Sequence, residues 1–355
     1  MPAALTPRER VLRAIRHEEV DRVPTFFRAE PSIIQKLCNH FQVRDKICIS
    51  AALDVDAVRP RVRYRPRAAP LEPGLDIDVF GVKSKTVRYA SLVSEQVVGH
   101  VFSEASTIEE IEAYAWPGRD AVDLDASEHE AARARATGRA VYGGVWASLF
   151  TESREMMGEE DFLVSLIANP DLAERLVARL ADAYLEMNEA YLDRCRHCLD
   201  VFYMGSDLGT QNSLFISREM FQRFFAPHFA RIAAQAKRRG LPVMMHTCGA
   251  VGEIIPDLIA CGVDVLDPVQ VSAAGMDPAS LARAFKGKIA FHGAISTQKT
   301  LPCKTPEAIR AEVFETIETL GPLGLIAAPD QNMTDETPLE NIFAMYRAIR
   351  EYRMP

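Results

Sequence analysis

Apolar and polar positions along this chain follow a repeated pattern in which a short apolar run precedes a longer segment with apolar residues three and four apart. The short runs predict strands and the longer segments predict helices. The predicted strands are residues 23–28, 57–61, 140–146, 201–206, 242–247, 263–269, 288–294 and 324–328. The predicted helices include residues 172–194, 218–239, 253–260, 278–285 and 306–320.

This regular alternation predicts an α/β protein with a parallel sheet, because each strand is followed by a helix that can return the chain to the same edge. Eight such units predict a single (β/α)8 TIM barrel that spans residues 1–355. Residues 1–16 place four arginines around Val11, Leu12 and Ile15, which predicts an amphipathic N-terminal helix before the first strand.

One region interrupts the alternation, at about residues 62–125. Residues 61–101 are rich in Pro and Arg and then alternate through Val79, Gly81, Lys83, Lys85 and Val87, which predicts a β-hairpin inserted after the second strand. Residues 111–125 are interpreted as a loop. An insertion at the carboxyl end of a strand lies over the mouth of a barrel, where it can form a wall or a lid.

Charge and cysteine content exclude several classes of function. The formal net charge of −8 argues against nucleic acid or an anionic membrane as the main partner, and no apolar run approaches the roughly 20 residues of a spanning helix. Seven cysteines, an odd number, do not form a secreted disulfide framework, so the cytoplasm is the expected compartment. Several predicted helices have apolar faces that could form the interface of a homodimer.

Candidate metal chemistry lies at the end of the strand predicted at residues 242–247. His246 and Cys248 are two residues apart, so their side chains point to the same side of an extended segment. Nitrogen and sulfur are ligands that zinc favours, and Gly249 lets the backbone turn away. The alternative is a hydrogen-bonded core histidine beside a cysteine that packs as a small apolar residue.

A barrel gathers the polar residues at the carboxyl ends of its strands into one cavity. That rule predicts a shared site for a scattered set of residues: Arg28, Glu30, Arg61 or Arg63, Trp146, Asp207, Gln211, His246, Cys248, Asp267, Gln270, His292, Asp330 and Asn332. Asp207 can also be explained as a turn cap, and His292 as a core histidine.

Several runs resemble the uroporphyrinogen decarboxylase superfamily. They are Tyr-Met-Gly-Ser-Asp-Leu-Gly-Thr-Gln at 203–211, Ser-Arg-Glu-Met-Phe at 217–221, His-Thr-Cys-Gly at 246–249, and the segments 254–259 and 262–270. Residues 328–332 and 337–342 near the C-terminus, and 6–10 and 21–24 near the N-terminus, extend the resemblance over nearly the whole chain. Within the superfamily the chain is more similar to the cobalamin-dependent methyltransferase branch.

This resemblance implies a zinc-dependent methyltransferase with one barrel domain, in which a His-x-Cys pair like His246 and Cys248 holds the metal. A third ligand comes from the end of the last strand in that branch and is often a cysteine. Here the corresponding segment reads Asp330-Gln331-Asn332 and offers no thiol. Asp330, or Glu30 after the first strand, is therefore the expected third ligand, because a carboxylate is acceptable to zinc.

The resemblance also implies a corrinoid that exchanges a methyl group with a small methylated donor or a thiol. The chain lacks the Asp-x-His-x-x-Gly pattern of cobalamin binding, so a separate corrinoid protein would dock over the barrel mouth. The expected catalytic residues are Asp207, Gln211 and Asn332. The expected substrate-binding residues are Phe27, Arg28, Trp146, Tyr203, Gln270 and His292.

Two other functions stay open from the sequence. A decarboxylase of the uroporphyrinogen type would need arginine clamps soon after the first strand, where this chain reads Ala29-Glu30-Pro31. A dense run of arginines at 59, 61, 63, 65 and 67 leaves an acidic ligand possible, but its period of two favours one face of an exposed strand. The alternatives are a metal-independent lyase that uses Asp207, and a non-catalytic small-molecule-binding barrel.

Overall fold

The computed structural model describes residues 4–68, 72, 74–89 and 92–354. In that part of the chain it contains ten strands: β1 (Ala57–Val58), β2 (Leu75–Ile77), β3 (Lys83–Tyr89), β4 (Leu92–Gly99), β5 (Ala140–Gly143), β6 (Val201–Gly205), β7 (Val243–His246), β8 (Val265–Val269), β9 (Ala290–Ile295) and β10 (Leu325–Pro329).

Seven of these strands form one curled parallel sheet in the order β1-β5-β6-β7-β8-β9-β10. Thr25 bridges to Ala327 of β10, and Phe26 bridges to Ala57 of β1, so the segment around these residues joins the two edges of the sheet. The predicted TIM-barrel-like α/β fold is therefore confirmed. The first predicted strand forms only isolated bridges, and Pro24 within it has no backbone N–H to donate.

Helices flank the sheet. They are α1 (Pro7–Ile15), α2 (Pro31–Phe41), α3 (Lys46–Ala52), α4 (Ile108–Ala113), α5 (Leu124–Arg135), α6 (Leu149–Met157), α7 (Glu159–Ala168), α8 (Pro170–Cys195), α9 (Arg218–Phe224), α10 (Ala226–Lys237), α11 (Ile255–Ala260), α12 (Pro278–Phe285), α13 (Pro306–Leu320) and α14 (Leu339–Glu351). None of the helices in the described residues is both long and apolar enough to cross a membrane.

Two predictions of helix boundaries need correction. The predicted helix at 218–239 is divided into α9 and α10, because Pro227 cannot donate a helical hydrogen bond and starts a new helix in its first turn. The predicted loop at 111–125 contains the end of α4 and the start of α5. The N-terminal helix is confirmed as α1, which Thr6 and Glu9 cap reciprocally.

The insertion contains the predicted hairpin, β3 and β4, and a third strand, β2, that extends it to an antiparallel sheet. The two ends of the insertion lie together, since Asp123 N donates to Arg63 O (2.8 Å) and Arg65 N donates to Ala121 O (2.9 Å). No exposed strand runs through residues 59–67, where only Tyr64 makes an isolated bridge, to Val122.

Apolar side chains separate into an inner and an outer layer. The inner cluster includes Phe26, Tyr142 and Tyr203 from the barrel wall together with Val11 and Ile15 of α1. The outer cluster contains the residues between the strands and the surrounding helices. Phe27 belongs to the outer cluster and is fully buried, so it is not part of a substrate wall as predicted. Its neighbour Phe26 takes the inner position, because adjacent residues of an extended chain face opposite sides.

Candidate metal centre

The candidate site forms where two neighbouring parallel strands end. Gly205 of β6 pairs with His246 of β7, and Ser206 N donates a hydrogen bond of 2.9 Å to the carbonyl oxygen of His246. Asp207 and Cys248 each follow this pair by two residues. Side chains two residues apart share a face in an extended segment, so this register brings both next to His246.

Three ligand atoms converge in this place. A carboxylate oxygen of Asp207, a ring nitrogen of His246 and the sulfur of Cys248 all lie within 4.8 Å of one another. The thiol of Cys248 donates to Asp207 Oδ1 at 3.1 Å, and His246 Nε2 lies 3.4 Å from the same oxygen. Oxygen, nitrogen and sulfur donors at this spacing suit zinc, so the three side chains could hold a metal ion.

Gly205 is required for this close approach. A Cβ built on residue 205 would lie 2.5 Å from the Cβ of His246 and 2.5 Å from two atoms of the Trp146 ring. Contacts that short force the neighbouring side chains to move. The missing side chain at position 205 therefore makes the space in which His246 and Trp146 lie side by side.

Gly205→Ala tests this packing directly. We expect the substitution to lower the free energy of unfolding by about 1–3 kcal/mol, because an added methyl group overpacks a filled interior. It should also shift the imidazole pKa of His246, measured by NMR titration. Gly99→Ala is the matched control, since the nearest atom there is the flexible Lys83 Cδ at 3.1 Å. Equal behaviour of the two variants would contradict the packing argument.

The site carries charge even without a metal. Burial raises the pKa of Asp207, but the hydrogen bond and positive charge of His246 outweigh burial and lower it to about 2. Burial lowers the pKa of His246, whereas Tyr203 and hydrogen bonds to Asp207 and Asp267 raise it well above its ordinary value. Burial raises the pKa of the Cys248 thiol. An imidazolium thus lies between two carboxylates, where a cation is favoured.

Asp267 orients the histidine from behind. His246 Nδ1 lies 2.9 Å from Asp267 Oδ2, and the Asp267 side chain is fully buried. A proton on Nδ1 is held by this hydrogen bond, which leaves Nε2 facing Asp207 and Cys248. A carboxylate that fixes the outer nitrogen of a histidine is the usual support of a metal-bound imidazole.

The Asp267 carboxylate also contacts three other polar side chains of the barrel interior. Arg28 forms an ion pair with Asp267 Oδ1, and the Tyr203 hydroxyl donates to Oδ2. His292 Nδ1 lies 2.6 Å from Oδ1. Burial raises the pKa of Asp267, but the charge of Arg28 and the hydrogen bonds of His246 and His292 lower it well below its ordinary value. Asp267 is therefore the anion on which this buried network depends.

Backbone contacts hold the turn that carries Cys248. Ala250 N donates to Thr210 O at 2.7 Å, and Gly249, with φ of +87°, packs directly on Gly209, where a side chain would collide. The buried side chain of Gln270 accepts a hydrogen bond of 2.8 Å from Gly249 N. Gln270, predicted to bind substrate, thus supports the turn.

A cavity of about 200 Å³ opens beside His246 at the mouth of the barrel. Its lining residues are Phe26, Arg28, Lys46, Arg59, Trp146, Tyr203, His246, Gln331 and Asn332. The Trp146 ring lies edge-on to Tyr203 at 5.1 Å and is 5.5 Å from the His246 ring, measured between centroids. Three of the predicted substrate-binding residues, Arg28, Trp146 and Tyr203, therefore share one cavity with His246 of the metal-ligand cluster.

Other predicted residues lie outside the three-residue cluster. Asp330 is buried and accepts hydrogen bonds from Thr297 N (2.8 Å) and Thr297 Oγ1 (2.9 Å). Glu30 accepts a hydrogen bond of 3.0 Å from Asn332 at the surface. The structure thus brings Asp207, rather than Asp330 or Glu30, to His246 and Cys248. Asn332 lines the cavity, as a catalytic or substrate-orienting residue would.

Two predicted site residues are placed where they do not face the cavity. The Gln211 side chain is exposed, and the backbone carbonyl oxygen of Gln211 accepts a hydrogen bond from Ala274 N. His292 is fully buried beneath Asp267, and its Nε2 has no hydrogen-bond partner in the described residues. Burial lowers the pKa of His292, so it is a neutral core histidine, the alternative that the sequence left open.

Sequence reasoning missed Phe26, Lys46 and Arg59 in the cavity wall. Lys46 is the first residue of the short helix α3 and has no neighbouring signal that points to a site. Arg59 directly follows β1 and could have been recognised by its position at a strand end. Its membership in the arginine run suggested an exposed strand face. Instead its guanidinium lies between two rings, 4.4 Å from the centroid of Trp146 and 4.5 Å from that of Tyr203.

Comparison with known families identifies the family of this chain. The family model described as Uroporphyrinogen decarboxylase (URO-D) matches residues 91–352, which is most of the chain and includes β5 to β10 and the candidate metal centre. The resemblance inferred from the short runs is therefore confirmed. No match to this chain was found among curated proteins.

A solved structure has a similar fold. A methyltransferase from Methanosarcina mazei superposes with a TM-score of 0.71 over 98% of this chain and 99% of its own, at 19% sequence identity. At that identity the likeness shows a shared fold. A B12-independent methionine synthase from Shewanella sp. W3-18-1 covers 78% of this chain and 74% of its own at 15% identity, with a TM-score of 0.41, and we base no argument on it.

Proposed function

This chain belongs to the uroporphyrinogen decarboxylase family, and from that premise we propose that it is a zinc-dependent methyltransferase. It would move a methyl group between a small methylated donor or thiol and a corrinoid carried by a separate protein. The observation that carries the proposal is the convergence of Asp207, His246 and Cys248 beside a cavity at the barrel mouth. The fold shared with a methyltransferase supports it.

The donor set fits zinc. His246 would bind through Nε2, because Asp267 holds Nδ1, and Cys248 would bind as a thiolate after releasing its thiol proton to solvent. Asp207 would be the third ligand and keep its negative charge at neutral pH, since its pKa is about 2. Bound zinc supplies a Lewis acid that lowers the pKa of a thiol or polarises the heteroatom of a methyl donor.

Methyl transfer breaks one bond to the methyl carbon and forms another, and the site must stabilise the group that leaves. In the demethylating direction, the bond between the methyl carbon and the donor heteroatom would break, and a reduced corrinoid delivered by its carrier protein would supply the electron pair of the new bond to that carbon. The heteroatom leaves with its electron pair and takes a proton from water. Zinc held by Asp207, His246 and Cys248 would supply the positive charge that stabilises the leaving atom, and Trp146 and Tyr203 line the cavity next to His246.

Docking of a corrinoid protein is the part of the proposal that requires an open barrel mouth. Half of the Asp207 side chain is exposed, so the metal-ligand cluster lies close to the surface. The cavity of about 200 Å³ suits a small donor and not a corrinoid, which is far larger than such a space. The corrinoid would therefore approach from outside, as a substrate delivered by its own carrier protein.

Metal removal tests the proposal. We expect purified protein to contain about one zinc per chain, to lose methyl transfer after dialysis against a chelator, and to recover it when zinc is restored. The assay follows the absorbance change of cobalt(I) corrinoid during methylation by small ethers, amines and thioethers. Chelator-treated protein that keeps full methyl transfer, or metal-free protein after growth and purification with zinc, would contradict the proposal.

The lyase alternative has less support in the geometry. A metal-independent decarboxylase would use Asp207 as a proton handler, yet a pKa of about 2 leaves this carboxyl without a proton at neutral pH. Release of carbon dioxide from carboxylated substrates, insensitive to the chelator, would favour the lyase. Ligand binding without either reaction would favour a non-catalytic barrel.

A further inference from the structure

The cavity beside the candidate metal centre contains positive charge that the metal chemistry does not use. Lys46 and Arg59 both line it, together with Arg28. Within the described residues, no carboxylate lies at ion-pair distance from the side chain of Lys46 or Arg59, whereas Arg28 is paired with Asp267. Cations placed in a low-dielectric site without an anion are unfavourable, and an anionic ligand would relieve that cost.

Charge counting gives the same surplus with and without a metal. Without one, Arg28, Arg59, Lys46 and protonated His246 face two carboxylates, Asp267 and Asp207. With a divalent ion, the charges of Asp207 and the Cys248 thiolate balance the metal, and Asp267 balances Arg28. Two positive charges, those of Arg59 and of protonated Lys46, are left over in either state.

Unused hydrogen-bond donors lie in the same wall. Arg28 Nε is buried and has no acceptor in the described residues, although Arg28 Nη2 binds Asp267. The Arg59 guanidinium is fixed between the Trp146 and Tyr203 rings, so its planar donors are held in one orientation before any ligand arrives. A carboxylate accepts several such hydrogen bonds at once.

We propose that the cavity binds the carboxylate of a small organic acid on Lys46 and Arg59, with the other end of the molecule directed to His246. The proposal rests on the proposed function in one respect only: it identifies this acid as the methyl substrate. The carboxylate site itself follows from the charges and the cavity, and it holds whether or not zinc is bound.

Lys46 gives the site a pH signature. Burial, together with the charges of Arg59, Arg28 and Arg61, lowers the pKa of Lys46 to about 7. The protonated amine binds an anion and the neutral amine does not, so carboxylate affinity should fall as pH rises through 7. A bound anion stabilises the protonated form, so the expected loss between pH 6 and pH 8 is about tenfold. His246 and Tyr203 also line the cavity, and a Lys46 variant separates their effects.

Calorimetry with a matched pair of probes tests the site. We expect 3-methoxypropionate to bind at least about tenfold more tightly than its uncharged amide, 3-methoxypropionamide, at pH 6. Lys46→Met and Arg59→Met should each remove about tenfold of the carboxylate affinity, and Lys46→Met should also remove its pH dependence. Lys299→Met, which changes an exposed lysine outside the cavity, is the control. Equal binding of acid and amide to wild-type protein would overturn the proposal.

Folding and metal chemistry are checked separately. Lys46→Met should raise the thermal midpoint of ligand-free protein at pH 6, because an apolar chain of similar length replaces an unpaired cation. In Cys248→Ser protein the preference for the acid should persist while methyl transfer is lost. If wild-type protein binds the acid and its amide equally but still transfers methyl groups from neutral donors, the proposed carboxylate site is contradicted and the proposed function is not. If wild-type protein prefers the acid over the amide but binds no zinc, the proposed function is contradicted and the carboxylate site is not.

Discussion

Zinc should be absent from protein that carries His246→Ala or Cys248→Ser, and methyl transfer to cobalt(I) corrinoid should fall by more than about 100-fold in both. Outer-shell substitutions at zinc sites already cost about 10- to 100-fold, and these variants remove a ligand outright. Elemental analysis gives the zinc content, and the corrinoid absorbance assay gives the rate. Asp207→Ala should behave in the same way if this carboxylate is the third ligand.

Cys303→Ser provides the matched control for the cysteine variant. Cys303 is an exposed free thiol that donates only a long hydrogen bond of 3.8 Å to Gln298 O. Its replacement should leave zinc content and methyl transfer unchanged. Far-UV circular dichroism should show intact folds in all variants, because Asp207 and Cys248 are at strand ends and only partly buried. Stoichiometric zinc in Cys248→Ser protein would rule out the proposed centre.

A second large effect is expected for Asp267→Asn, this time on stability. The substitution removes the buried anion that pairs with Arg28 and accepts hydrogen bonds from His246 and Tyr203. Breaking a buried ion pair by removing one partner costs about 3–5 kcal/mol, because the other charge stays buried without compensation. The free energy of unfolding in urea should fall by about that amount.

Asp335→Asn separates this effect from the general loss of an ion pair. Asp335 lies 2.7 Å from Lys36 at the surface, where an ion pair contributes only about 0–1 kcal/mol. Unfolding free energies for Asp267→Asn and Asp335→Asn that agree within about 1 kcal/mol would show that Asp267 does not stabilise the barrel interior. The Asp267 variant should also bind zinc more weakly, since His246 loses the group that fixes its outer nitrogen.

Several features could be predicted from the sequence because they depend on local periodicity. Alternating strands and helices indicated the barrel, and the spacing of two between His246 and Cys248 placed both side chains on one face. Strand-end position also identified Arg28 and Trp146 as residues of the cavity, and Tyr203 was expected in its apolar wall. These inferences need only the rule that parallel strands bring their carboxyl ends to one rim.

The third member of the metal-ligand cluster depended on strand order and register. Asp330 follows β10, three strands away from β7 in the sheet, whereas Asp207 follows β6, the immediate neighbour of β7. Neighbouring parallel strands are about 4.8 Å apart, and here the adjacent strand brings Asp207 within ligand distance of His246 and Cys248, whereas Asp330 is hydrogen-bonded to Thr297. The distance from Asp207 to His246 and Cys248 can therefore be inferred only when the order of the strands in the sheet is known.

Side-chain direction also required the tertiary structure. Phe26 and Phe27 are equally apolar, and the single step between them decides which faces the cavity and which faces the helices. Likewise, the arginines at every second position from 59 to 67 suggested a strand, but β1 ends at Val58 and these residues form no strand. By itself the sequence determined the alternation of strands and helices and the pairing of His246 with Cys248 on one face. The closed sheet decided which faces meet, because only packing brings distant strands into contact.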